Sequence, residues 1–189
     1  QRAAVEAARP VVGSLDAFYL DLAMSLTIAP VDAANLARAA ELTRKTNQYT
    51  VTTLRYSEAE VARRVEDPRW SVATFRVADR FGDHGIVGVV MAREVGEDFE
   101  IDTLLMSCRV IGRTVETAML AHVFDEARRR GARSVRGKIV PTAKNVPIRE
   151  LFSDHGFTRT GEDADGTSHW QREVGDQGIA WPAWFRRVP

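Results

Sequence analysis

The order of elements in this sequence predicts an α+β fold, and three observations lead there. Between Trp70 and Ser107, three stretches of strand character are separated by the turns Phe81-Gly-Asp-His-Gly85 and Gly96-Glu-Asp98, the pattern of an antiparallel meander. A glycine-containing loop, residues 109–114, then opens a helix whose apolar residues Val115, Met119, Val123 and Ala127 share one face. After that helix come a strand, a helix and a hairpin. The antiparallel half therefore meets the helix-linked half at the strand that ends beside the glycine loop.

In chain order, residues 1–13 read as a short helix or tail ended by Pro10 and Gly13. Ser14 is expected to cap a helix running through Leu15, Phe18, Tyr19 and Leu22. An apolar run over 25–29 stops at Pro30, and Asp32 caps a second helix to about Leu42. A polar stretch over 43–49 leads to β-branched residues over 50–53. Ser57 with Glu60 forms a capping box, and the helix it opens must stop before Pro68. Strands are predicted over 71–79, 85–94 and 99–107. Gly131 suits the left-handed position just past the end of the long helix. Residues 134–140 form a strand, Pro147 fits the first turn of a helix, and Gly156-Phe157 closes it. Two short strands, 157–160 and 168–174, precede a Trp-rich tail.

Composition narrows the function classes. With 26 basic and 26 acidic side chains among 189 residues, 44% hydrophobic and 28% charged, the balance is that of a soluble globular protein. The chain has no basic block, so no nucleic-acid partner is expected, and no anionic-membrane surface either. No stretch reaches the roughly 18 apolar residues of a membrane span, and the N-terminus lacks the apolar run of a signal peptide. Cys108 is the single cysteine, so an intrachain disulfide and a four-thiolate metal site are both excluded. A reducing, cytoplasmic setting and no metal are expected. Because the first residue is not Met, a fragment of a longer protein is expected.

The sharpest motif is Asn145-Val-Pro-Ile-Arg-Glu-Leu-Phe-Ser-Asp-His-Gly156-Phe157. It resembles the second half of the acyl-CoA-binding core of GCN5-related acyltransferases, with Asn145, Leu151, Phe152, Gly156 and Phe157 on the expected positions. The resemblance implies a GCN5-related N-acyltransferase-like (GNAT) fold, a mixed central sheet flanked by helices. An Asn at a strand end can hydrogen-bond a pantetheine amide. Free N–H groups and the helix dipole make the loop Arg109, Val110, Ile111, Gly112, Arg113 and Thr114 a candidate phosphate site. Thr114 and Glu116 fit that role poorly, because one crowds and the other repels a pyrophosphate. A carrier-bound pantetheine arm, with a single phosphodiester, loses less there than coenzyme A.

Four further blocks narrow the resemblance. Lys45-Thr-Asn-Gln-Tyr49 with Thr52-Thr53 and Arg55-Tyr56, then Asp79-Arg-Phe-Gly-Asp-His-Gly85, then Ile101-Asp-Thr-Leu-Leu-Met-Ser-Cys-Arg-Val-Ile-Gly-Arg113, then Pro141-Thr-Ala-Lys-Asn145 resemble FkbH-like proteins in the same order. The resemblance implies the C-terminal, GNAT-like part of a two-part enzyme of polyketide biosynthesis. It implies a haloacid-dehalogenase (HAD)-type phosphatase domain N-terminal to this chain. Together the parts would move a glyceryl group from 1,3-bisphosphoglycerate to the phosphopantetheine thiol of an acyl carrier protein. Residues 1–40 are then read as the connection from the missing phosphatase domain, 41–175 as the acyltransferase domain, and 176–189 as the tail. Asp163-Ala-Asp-Gly-Thr167 spells the phosphatase motif but follows no buried apolar strand, so it is read as a hairpin turn.

The chemistry is expected at Cys108, which ends the third strand. Arg109 beside it and a helix N-terminus behind it would favour thiolate. In a meander the Phe81–Gly85 turn lies at the same end of the sheet, so His84 is the candidate base and Asp83 its orienter. His122, His155 and His169 read as structural. Thr46, Asn47 and Gln48 are candidates for binding the hydroxyls of a glyceryl unit, and Lys144 for meeting phosphate. Phe152 stands where many N-acetyltransferases place a tyrosine acid, and Glu100 and Asp102 are the carboxylates on the central strands. Thioester exchange needs neither an acid nor an ammonium base. The alternatives are CoA-dependent N-acetylation of an amine, and a non-catalytic module that docks a carrier protein or the phosphatase domain. The Trp181–Phe185 tail packs on the domain or forms such a contact.

Overall fold

The structure, a computed structural model, describes residues 12–175 and 177–188. The expected helix or tail over residues 1–13 falls almost wholly outside them. Helix α1 (Val12–Asp21) already includes Ser14, which is therefore not its cap. Strand β1 (Ser25–Pro30) ends at the proline, and α2 (Leu36–Lys45) follows a turn closed by Asp32, whose carboxylate accepts from Ala34 N. Helix α3 (Glu58–Glu66) opens on the predicted box: Ser57 Oγ accepts from Glu60 N, and Glu60 Oε2 from Ser57 N at 2.8 Å.

The meander is present as β2 (Trp70–Asp79), β3 (Gly82–Val95) and β4 (Asp98–Met106), each antiparallel to the next. A 3₁₀ turn at Cys108–Val110 leads to α4 (Val115–Arg129), then β5 (Ser134–Ile139), the short α5 (Leu151–Asp154), β6 (Thr158–Glu162) and β7 (Ser168–Glu173). The tail adds a strand the sequence did not suggest, β8 (Arg186–Val188), parallel to β1. One mixed sheet results, in the order β6-β7-β5-β4-β3-β2-β1-β8. The residues expected to be a connecting segment thus supply β1 and, through Tyr19, Leu22, Met24 and Leu26, part of the common core.

Each face of the sheet has its own core. On one, α4 and α5 bury Met119, Phe124, Leu151 and Phe152 with Phe75, Phe99 and Leu104. On the other, Ala39, Ala40 and Leu42 of α2 and Val61 of α3 pack on Val72, Val89, Met91 and Leu105. Phe152 does not stand in a site. Its ring is fully buried against Phe157 and Trp170, and its tip lies over Gly137 of β5, where an added Cβ would come 2.3 Å from Cζ. Only glycine lets the ring approach so closely, so the absence of a tyrosine hydroxyl here carries no message about an acid.

The Asp163–Thr167 stretch is the hairpin turn between β6 and β7: Asp163 N donates to Thr167 O, and Gly166 adopts a φ of 83°.

Gly137→Ala is expected to destabilise the domain by about 1–3 kcal/mol through overpacking against Phe152. Urea unfolding of the two proteins checks it, and a loss within error of zero contradicts the packing.

Candidate active site

Where β4 and β5 run side by side they pair only from Asp98–Glu100 to Ser134–Arg136; beyond that the two parallel strands diverge. The resulting fork is filled from within. Residues 49–52, Tyr49 with most of the β-branched run, lie antiparallel to β4 through a Thr50–Leu105 bridge. Val51 N donates to Leu104 O at 3.1 Å, Met106 N to Tyr49 O at 2.9 Å, and Val140 N to Val51 O at 2.8 Å. Asn145 locks the insert. Its Nδ2 donates to Thr50 O and Val140 O, its Oδ1 accepts from Thr142 N at 2.7 Å, and it is wholly buried. The carboxamide expected to meet a pantetheine amide is fully engaged by the protein.

Cys108 emerges just past this fork. Ser107 N donates to Val87 O, and the 3₁₀ turn that follows leaves Cys108 exposed. The helix N-terminus expected behind it belongs to α4, seven residues on, and Arg109 turns its Nε to Ser107 Oγ. A cavity of about 600 Å³ opens beside the thiol, floored by Leu42 and Met106 and walled by Thr46, Asn47, Gln48, Arg38, Lys45 and Lys144. The nucleophile candidate and the polar triplet, far apart in sequence, thus share one cavity. Thr46 is nearly buried, and Asn47 Oδ1 accepts from Arg55, which also grips Thr43 O and Thr46 O. Gln48 is exposed at the wall. Lys144 is presented by a turn in which Thr142 Oγ1 accepts from Lys144 N and Asn145 N. Among the described residues Lys144 makes no ion pair, whereas Arg38 and Lys45 share Glu41, whose carboxyl they hold down at about 2.

His84 and Asp83 are not part of this cavity. Asp83 pairs with Arg76 and accepts from Gly85 N, so it does not orient the histidine. His84 Nε2 lies 2.9 Å from Asp79 Oδ2 and 3.1 Å from Arg113 Nη1, on the side of the loop before α4. Asp79, which sequence reasoning passed over, has a fully buried carboxylate bonded also to Arg113 and Phe81 N. Burial pushes its carboxyl up, but the hydrogen bonds of His84, Phe81 and Arg113 outweigh that and hold it near 2. This cluster is a structural knot. Among the described residues, none makes a hydrogen bond to the Cys108 thiol.

The expected phosphate loop is braced by the protein, with Arg109 and Gly112 left exposed. Val110 is buried, Tyr19 Oη donates to Gly112 O at 2.8 Å, and Trp184 Nε1 donates to Thr114 Oγ1 at 2.7 Å, with the Tyr19 and Trp184 rings stacked. Thr114 sits in the left-handed region at φ 58°. Glu116, in the first turn of α4, is largely buried with Oε2 unpartnered, and burial raises its pKa. The unpartnered Glu116 carboxyl in the first turn of α4 suits a pyrophosphate poorly, and the filled fork leaves no room between the strands for a pantetheine chain. The three carboxylates on β4 are engaged as well: Asp98 accepts from Ser134 Oγ and pairs with Arg136, Asp102 Oδ2 accepts from Tyr56 Oη and Thr103 Oγ1, and Glu100 meets Arg93. Among the described residues no helix is long and apolar enough to cross a membrane, and no group of three or more His, Cys, Asp or Glu is placed to hold a metal ion.

No protein-family model matches the chain, and no curated protein matches it in sequence. Solved structures do match in fold. The phosphinothricin acetyltransferase of Sinorhizobium meliloti, in complex with AcCoA, is 20% identical with a TM-score of 0.62, over 84% of this chain and 94% of that one. The ribosomal-protein-S18-alanine N-acetyltransferase of Escherichia coli is 15% identical with a TM-score of 0.60, over 81% and 96%. The spermidine N-acetyltransferase of Vibrio cholerae, in complex with CoA and spermine, is 13% identical with a TM-score of 0.60, over 79% and 96%. The chain has the GNAT fold, a mixed sheet flanked by helices.

Glu116 yields a pH-dependent prediction. A carboxyl whose folded pKa is raised destabilises the fold as pH climbs past its ordinary value of 4.5. Glu116→Gln is therefore expected to melt higher than the parent at pH 8, by roughly 2–4 °C per kcal/mol. The two curves should converge as pH falls below about 4. A gap that is the same at both pH values contradicts an ionised, unpaired Glu116.

Proposed function

We propose that this chain is an acyltransferase domain that carries an acyl group as a thioester on Cys108 and hands it to the phosphopantetheine thiol of an acyl carrier protein. By its resemblance to FkbH-like proteins the acyl group is glyceryl, the setting polyketide biosynthesis, and a phosphatase-like domain lies N-terminal to it. The observation that carries the reading is the cavity that an exposed Cys108 shares with Gln48 and with Lys144, which makes no ion pair among the described residues. The cysteine has a polar wall suited to a hydroxyacyl group and a cation at the rim suited to phosphate.

The steps balance without a resident cofactor. The Cys108 thiolate attacks the carbonyl of an acyl phosphate, the C–S bond forms, the C–O bond breaks and phosphate leaves. The carrier thiolate then attacks the thioester carbonyl, and Cys108 departs as thiolate. One thiolate enters for each that leaves, so the exchange needs no dedicated acid. Positive charge from Lys144, with Arg38 and Lys45 on the same wall, favours the approach of an anionic donor. CoA-dependent N-acetylation, the chemistry named for several proteins of the same fold, calls for a pyrophosphate site and a base for the ammonium. The unpartnered Glu116 beside the loop and the engaged Glu100 and Asp102 support relay over that reading.

Intact-mass analysis with 1,3-bisphosphoglycerate and holo carrier protein tests the proposal. Only the C1 phosphate leaves in this step, so the parent should gain one 3-phosphoglyceryl group and load the carrier with it, the 3-phosphate being left for hydrolysis by the phosphatase-like domain. Cys108→Ala should do neither, and His84→Ala should keep both activities because its partner is Asp79. Equal loading by Cys108→Ala contradicts the thioester. Carrier binding with no acyl transfer by any variant favours a docking module.

A further inference from the structure

We infer that residues 49–52 are a resident strand that excludes coenzyme A-type ligands from the β4–β5 fork, and that this exclusion is what commits the fold to chemistry at the open Cys108 cavity. The crevice at the carboxyl ends of diverging parallel strands is where an open α/β sheet offers unpaired backbone groups to a ligand. An extended chain carrying amides suits such a crevice because it can bond both edges at once. Here the groups of both edges are already taken. Leu104 O and Met106 N of β4 are bonded to Val51 N and Tyr49 O, and Val140 N at the end of β5 is bonded to Val51 O.

The insert is fixed rather than poised to leave. Tyr49, Thr50, Val51 and Thr52 are at most 6% exposed, and the threonines are satisfied internally: Thr50 Oγ1 donates to Thr52 O and Thr52 Oγ1 to Asp102 O. Displacing it would also strip Asn145 Nδ2 of Thr50 O in a buried site, where an unmet donor is costly. The same segment builds the alternative. Its preceding residues, 46–48, turn out of the fork and wall the Cys108 cavity, so the stretch that closes one site lines the other. An acceptor arm therefore reaches the thiol over the outer rim at Lys144 and not between the strands. The exclusion does not depend on whether Cys108 forms a thioester.

Amide hydrogen exchange by NMR on the intact chain, with and without millimolar coenzyme A, tests this. Val51, Met106 and Val140 amides should exchange at least about a hundredfold more slowly than the exposed Gln48 amide, and coenzyme A should leave their rates unchanged. Rapid exchange of Val51 and Val140 in the free protein overturns the inference. So does faster exchange at Val51 with new protection at Met106 on adding coenzyme A, the signature of a ligand that replaces the strand. Failure here and failure of the Cys108→Ala experiment are separate results.

Discussion

The Asn145 carboxamide holds together the two halves of the sheet where they part. Its donors reach Thr50 O and Val140 O, and its oxygen receives Thr142 N, so one side chain binds the inserted segment, the end of β5 and the loop that presents Lys144. An amide suits that place because it donates twice and accepts once; a carboxylate or an alkyl group leaves buried backbone polar groups unmet. Everything near the candidate site follows from this closure. The fork is shut, residues 46–48 are turned outward, and the cavity that remains is the one beside Cys108.

A second set of contacts braces the neighbouring loop. Tyr19 from α1 and Trp184 from the tail stack over Gly112 and Thr114, while Arg113 turns back to the Asp79–His84 knot. Segments distant in sequence thus meet at the start of α4, whose first turn holds the unpartnered Oε2 of Glu116.

Much of the fold was legible because its signals are local. The Ser57–Glu60 box, the Gly96 turn and the Asp-Gly hairpin each depend on a few adjacent residues and are where expected, whereas the turn expected over 81–85 is tightened to Arg80-Phe81, with Gly82–Gly85 drawn into β3 by pairing to Ala78 and Asp79. What escaped depends on partners far away in the chain. Nothing in a Thr-Val-Thr run says that it will fill a gap between strands, and nothing in the Trp-rich tail announces a strand beside β1. The site was partly legible: Cys108, Lys144 and residues 46–48 converge, but the meander argument that brought His84 toward the thiol could not see Asp79, whose buried carboxylate claims the ring. Asn145 was singled out correctly and its task misread, since a buried amide bonds protein as readily as ligand. The one signal pointing to Asp79 was its place two residues before Phe81 in the same block as His84.

The central claim is that the acyl group passes through Cys108 on its way to the carrier, and a single-turnover chase tests it most directly. Acylated protein, freed of donor, is mixed with holo carrier protein and both are followed by intact mass in time. Loss of acyl from the protein should match its gain on the carrier, with one rate constant and full recovery. An acyl group that stays on Cys108, or leaves it as free acid while the carrier remains unloaded, contradicts the account.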